Sequence, residues 1–415
     1  LPLLFSAVNV LSRISDVVTD GSDRVLAERA VAATRRFAEE NPDSPESQRN
    51  LSASLARLGD VLRPQDPAAA RDHFEESLEI RRRLAKTNPT SLQARRDLAV
   101  SLDNVGDVLV PVDPAAARKY FEESLEIARR LVDAHPTSLE AHRDLWVSLG
   151  KVGDVLVSED PAAARGCYEE SLGIARRWVE ANPTSLQARR DLSVSLNKVG
   201  DVLRPVDPAA ARDHYEESLT IDRQLAKVNP TSLQARRDLW VSLTRLGDVL
   251  RPVEPAAARG RLEESLEIAR SLVETHPTSL LVQHDLLASL TKVGDVLRPV
   301  DPAAARKYYK EALGIARRLA GAHPTSLEAR RDLAVSLNRV GDVLRSQDPA
   351  AARKYYEEAL DIARGISANA PDDRMGLLLL GYSLQQLSLL IEDKDPEEWV
   401  KLRKELSEVI RRLEK

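Results

Sequence analysis

The chain has 415 residues and a formal net charge of −5, from 60 Lys and Arg against 65 Asp and Glu, with only 4% aromatic residues. Its single cysteine, Cys167, excludes an internal disulfide framework and a thiolate metal cage and fits a reducing, cytoplasmic setting. The scattered charge lacks the basic footprint of nucleic-acid binding, and no apolar run reaches the roughly 18 residues needed to span a membrane.

In chain order, residues 1–40 read as a degenerate helix pair capping the N-terminus. Ile14-Ser15-Asp16-Val17 resembles the end of a first helix, and Arg24 to Glu40 a second. The chain starts at Leu1 rather than Met, which reads as a piece of something longer.

From Asn41 to Asn369 run seven repeats of 47 residues, set out by proline: Pro42, Pro89, Pro136 and their successors to Pro371 form one series, Pro67 to Pro396 a second, and Pro64, Pro111, Pro205, Pro252 and Pro299 a partial third. Proline breaks a helix interior and suits its first turn, so two segments of about 20 residues remain per repeat. The first, as in Thr184 to Leu203, opens with a Thr184-x-x-Gln187 capping box, repeated at Thr90/Gln93, Thr137/Glu140, Thr231/Gln234 and Thr325/Glu328. Its apolar face is Leu192, Leu196, Val199 and Leu203. The second, as in Pro208 to Lys227, is capped by Asp207, carries the stripe Ala211, Tyr215, Ser218, Leu219 and Leu225, and ends at Asn or His before proline, where Asn suits a left-handed residue. An eighth, diverged repeat, residues 370–415, keeps Pro371 and Pro396 in register and caps the C-terminus. No stretch alternates apolar with polar residues, so the fold class is all-α.

The helix pairs resemble the tetratricopeptide repeat (TPR): Leu337, Val340-Gly341 and Leu344 in one helix, then Ala352, Tyr356 and Ala359 in the next. That family's unit is about 34 residues, and the extra length amounts to seven residues in each helix, close to two turns, less one in the turn. The resemblance implies an α-solenoid, a right-handed superhelix of stacked antiparallel pairs. A HEAT or armadillo array, nearer 47 residues per unit, is the rival. The glycine at 59, 106, 153, 200, 247, 294 and 341 favours the tetratricopeptide reading, because a mid-helix glycine costs about 1 kcal/mol and its recurrence predicts close backbone approach.

Catalytic, metal and cofactor motifs are absent, so no enzyme activity and no cofactor are expected. His135, His276 and His323 fill the helix-ending slot, His73 and His214 stand at a variable site of the second helix, His142 and His284 stand within otherwise Arg-rich positions, and the adjacent carboxylates Glu216-Glu217 point about 100° apart and do not converge on one atom. Opposite the apolar stripe lie Arg190, Val194, Asn197 and Asp201, and the resemblance implies that this face lines an inner groove. Its rows are Arg96, Arg143, Arg190, Arg237 and Arg331; Val100, Val147, Val194, Val241 and Val335; and Asp107, Asp154, Asp201, Asp248 and Asp342. An apolar row between a cationic and an anionic one suits an extended or helical peptide of a partner protein. Equally, the valines pack between repeats and the charged rows form ladders. Trp146 and Trp240 point to packing between repeats, Trp178 to core, and Trp399 to the terminal cap; Asp103, Gly150, Asn197, Thr244, Thr291 and Asn338 are the positions that distinguish one repeat from the next. The reading is a non-catalytic protein-binding scaffold, with neither nucleic acid nor membrane as partner. The alternatives are a self-assembling homo-oligomer, an idealised consensus-type scaffold without natural ligand, or the sensor region of a larger bacterial signalling protein.

Overall fold

The structure, a computed structural model, describes residues 22–371, 373–392 and 395–414, all helices and connecting turns with no strand among them. It divides into two compact bodies, Leu1–Val206 and Asp207–Lys415. The N-terminal body holds α1 (Ser22–Glu40), the first helices α2 (Pro45–Leu62), α4 (Leu92–Leu109), α6 (Leu139–Leu156) and α8 (Leu186–Leu203), and the second helices α3 (Pro67–Thr87), α5 (Pro114–Ala134) and α7 (Pro161–Ala181). The C-terminal body begins with α9 (Pro208–Val228) and continues through the pairs α10/α11 (Leu233–Leu250, Pro255–Thr275), α12/α13 (Leu280–Leu297, Pro302–Ala322) and α14/α15 (Leu327–Leu344, Pro349–Asn369). It ends with α16 (Arg374–Ile391) and α17 (Pro396–Leu413). Within each body every helix packs on the one before and the one after it in chain order. Layering in sequence makes this an all-α solenoid of stacked pairs.

Local chemistry sets the helix ends. In the second helices Asp66, Asp113, Asp160, Asp207, Asp301 and Asp348 each accept a hydrogen bond from the amide three residues on, with proline at the first turn, as expected. The first helices differ from expectation. Their cap is not the threonine but the serine after it: Ser91, Ser138, Ser185, Ser232 and Ser326 each accept from an alanine amide three residues on. The Thr-x-x-Gln box does not form. Its glutamines turn along the helix instead, Gln187 Nε2 donating to Asp191 Oδ1 at 2.8 Å. Nor does a left-handed residue end the second helices. No described residue has positive φ, and Asn229 sits at φ −125°, ψ 71°. The proline that follows excludes the helical region for the residue before it.

The predicted stripes are the core: Leu192, Leu196, Val199 and Leu203 are buried, as are Ala211, Tyr215, Ser218, Leu219 and Leu225. Small hydroxyls let the helices close, as where Ser218 and Ser242 Oγ meet at 2.8 Å. The recurrent glycines make room for a side chain rather than for backbone. A Cβ built on Gly106 would lie 2.4 Å from Phe121 Cε1, on Gly153 2.5 Å from Tyr168 Cε1, and on Gly341 2.7 Å from Tyr356 Cε1, in each case the large residue of the second helix of the same repeat.

The C-terminal segment holds the helices α16 and α17. The predicted second helix of the N-terminal cap appears as α1, while Ile14 to Val17 lie outside the described residues. Among the described residues one helix, Arg374–Ile391, is long and apolar enough to cross a membrane, with mean hydropathy 1.2. It escaped the sequence count because it only just meets the length, and 56% of it is buried within the fold.

Candidate functional site

Where the second helix carries a tyrosine, the Gly-Asp pair at the end of the first helix works as one device. The glycine admits the ring and the next residue anchors its hydroxyl: Tyr168 Oη donates to Asp154 Oδ1 at 2.5 Å, Tyr309 to Asp295 at 2.6 Å, and Tyr356 to Asp342 at 2.9 Å. Burial, reinforced by the adjacent carboxylate, drives these phenols upward from their ordinary range. The same aspartates accept from a lysine or arginine of the next repeat, as in Lys151 to Asp107 at 2.6 Å, Lys198 to Asp154 at 2.5 Å and Lys292 to Asp248 at 2.6 Å. Asp342 also accepts from Tyr382 Oη at 2.7 Å and Arg298 at 3.1 Å, while Asp201 stands half-buried at the end of α8.

The arginine row is tied in the same way. Arg96 Nε donates to Asp144 at 2.5 Å and its Nη1 to Glu140 at 2.8 Å; Arg237 reaches Asp285 at 2.6 Å and Arg331 reaches Asp373 at 2.6 Å. Arg143 is exposed, its guanidinium 6.0 Å from the Trp178 ring centroid, and Arg190 is half-buried. At the corresponding position of α12, His284 Nδ1 lies 2.6 Å from Asp332 Oδ2, and this hydrogen bond holds the imidazole above its usual range. Within each body, Arg96, Arg237 and Arg331 of the cationic row and the aspartates named above thus tie one repeat to the next.

The valines between them are not tied. Val100 is 56% exposed and Val335 36%, while Val147, Val194 and Val241 are half-buried. Asn197, placed by the helical wheel on the same face, is buried at 6%, as are Asp103, Thr244 and Asn338. The two tryptophans beside the row bridge repeats, Trp146 Nε1 donating to Ser195 Oγ and Trp240 to Ser289 Oγ, each at 2.7 Å. Sequence reasoning missed the most exposed valines, which lie in the turns: Val112 and Val206 in the N-terminal body, Val253 and Val300 in the C-terminal one, Val300 at 75%. Their signal was the partial proline series, since each follows a proline directly. Among the described residues no three of His, Cys, Asp and Glu gather as a metal site.

Against known proteins, no family model matches the chain, and no curated protein does. Solved structures match. The apo form of RapI is 13% identical, with a TM-score of 0.55 over 86% of this chain and 85% of its own. A tetratricopeptide repeat protein from Parabacteroides merdae is 12% identical at a TM-score of 0.42 over 80% and 98%, and a circular tandem repeat protein with a novel repeat topology 20% identical at 0.31 over 89% and 97%. The likeness to RapI is one of fold: the chain is a TPR-like array of long helix pairs.

Proposed function

We propose that each body offers its first-helix face to an extended or helical segment of a partner protein, as a scaffold without catalysis in a reducing compartment. The observation that carries this reading is the valine row. On helices whose apolar stripe is buried, Val100 and Val335 stay open, and the rows on either side are held by ion pairs between repeats. Rigid charged rows beside open apolar positions supply orientation and contact area at little ordering cost. Peptides selected from a displayed random library against the whole chain test it. Selected sequences should carry apolar residues at regular spacing and lose binding to a Val147→Glu, Val194→Glu double variant that keeps its helical content. Peptides that bind the double variant equally well would place recognition elsewhere.

A second reading, self-association, is favoured by the exposed turn valines, Val112 and Val206 in one body and Val253 and Val300 in the other. Light scattering decides it. An oligomer that dissociates when Val253 and Val300 become Asp supports assembly; a monomer at all concentrations rejects it.

A further inference from the structure

Two repeats break the pattern at one buried position of the second helix, and one of them does so with an arginine. The small residue of the second helix that faces the next first helix is Ala128, Ala175, Ala269, Ala316 or Ala363, each fully buried. In α3 it is Arg81, and in α9 it is Asp222. An alanine slot has no room for a guanidinium unless the surroundings open, and here they do. A cleft of about 620 Å³ lies between α2, α3 and α4, its wall formed by Arg49, Asn50, Ala53, Arg81, Leu84 and Asn88. That volume falls in the range of small-molecule sites, a few hundred to about 1,000 Å³.

The charges inside do not balance as they do elsewhere. In other repeats the aspartate of this row takes one arginine, as Asp144 takes Arg96 and Asp285 takes Arg237. Here two arginines share one: Asp97 Oδ2 takes Arg49 Nε at 2.8 Å and is in contact with Arg81 Nη1, while its Oδ1 accepts from Gln93 Nε2 at 2.7 Å. The carboxylate's capacity is largely taken. Arg81 is only 9% exposed, and its Nε is buried without an acceptor among the described residues. Burial lowers its pKa from the ordinary arginine value, opposed by Asp97 and assisted by Arg49. A buried guanidinium with a free donor is strongly unfavourable unless an anion meets it. Glu46 also lines the cleft, and both it and Arg49 stand exposed at the rim, where water and salt screen them, so the covered cation is Arg81.

We propose that this cleft is a binding site for a small organic anion, a carboxylate or phosphate monoester with a short apolar body. The oxyanion meets the guanidinium groups of Arg49 and Arg81 at the cleft wall, Asn50 and Asn88 supply further donors, and the apolar part lies on Ala53 and Leu84. The site is separate from the valine row and does not depend on the peptide reading.

Titration calorimetry on the full chain tests it with valerate, phenyl phosphate and the neutral amide valeramide. One-to-one saturable binding of either anion, with valeramide at least about tenfold weaker, is the expected result. Which anion saturates identifies the headgroup. Arg81→Ala, which installs the residue of the other repeats and so keeps the fold, is expected to weaken binding about tenfold or more; Arg81→Met, which fills the slot without charge, is expected to do the same. The proposal is overturned if neither anion saturates at millimolar concentration, or if both variants bind as tightly as the parent.

Discussion

First and second helices are each tied to their successors by a ladder of ion pairs, and the two ladders lie in different surroundings. On the second helices Arg82 meets Glu123, Arg129 meets Glu170, Arg270 meets Glu311 and Arg317 meets Glu358, every partner well exposed to water. On the first helices Arg96 meets Asp144 and Arg237 meets Asp285, with the carboxylates largely covered. Exposed pairs contribute roughly 0–1 kcal/mol, while a covered carboxylate that loses its partner is left with its desolvation cost. Strict periodicity therefore does not mean equal energetic weight: the first helices couple one repeat to the next, and the second helices mainly keep register.

The largest effect is expected where the two kinds of helix meet. Gly106→Leu drives a side chain into Phe121, which is almost fully buried and cannot move aside. Overpacking of this kind costs roughly 1–3 kcal/mol, and the close approach to Phe121 puts this case at the upper end, so the thermal midpoint should fall by several degrees. Gly150 is the control within the adjacent first helix. A Cβ there meets nothing within 4 Å, so Gly150→Ala should raise the midpoint by removing a helix-interior glycine, worth about 1 kcal/mol. Equal responses at the two glycines would show that the ring does not set the seam.

Next in size is Asp103, buried in α4, where burial pushes its carboxyl up to about 6 against the pull of Lys151. A raised carboxyl keeps its proton in the folded chain after the unfolded chain has lost it, so stability falls as pH rises from about 4 to about 6 and stays low above. Asp103→Asn, the residue found at the same place in Asn197 and Asn338, should stabilise the N-terminal body by on the order of 2 kcal/mol at pH 7 and by little at pH 4. Denaturant midpoints at the two pH values check this, and a gain that is the same at both would remove ionisation as its cause.

Legibility in the sequence follows the range of the interactions. Helix ends and the buried stripes could be read because prolines, Asp caps and apolar spacing act within a few residues. The serine caps were missed by one position because threonine and serine compete for the same amides, and sequence does not say which one leaves the helix. Among the candidate residues the rows could be read, but their partners could not. That Arg96 meets Asp144 depends on how one repeat lies on the next. Asn338 shows the same limit: a two-faced wheel puts it opposite the core, whereas a first helix in a stack also has first-helix neighbours, and Asn338 Nδ2 donates to Ser383 Oγ of the next repeat at 2.9 Å. Arg81 was in plain view as an exception to alanine, but the cleft it lines is a product of three helices.

A smaller effect separates the first-helix rungs from one another. His284 takes the place of arginine opposite Asp332, and its raised pKa means that its stabilisation is complete below the unfolded value of about 6.5 and is lost as pH rises through the folded one. The midpoint of the C-terminal body should therefore drop on going from pH 6 to pH 8. In His284→Arg that drop should shrink, because the rung is then charged throughout; an undiminished drop would assign the pH dependence to other groups.

The smallest expected effect tests the second-helix ladder directly. Arg129 and Glu170 are 2.9 Å apart with about half of each side chain in water. Salt and solvent screen such a pair, and holding two long side chains together costs rotamer freedom, so Arg129→Ala should move the denaturant midpoint by less than about 0.5 kcal/mol at physiological ionic strength. The same substitution at Arg96, whose partner Asp144 is mostly covered, should cost more and depend less on added salt. If the two variants lose equal stability with equal salt dependence, the distinction between the ladders fails and register alone accounts for both.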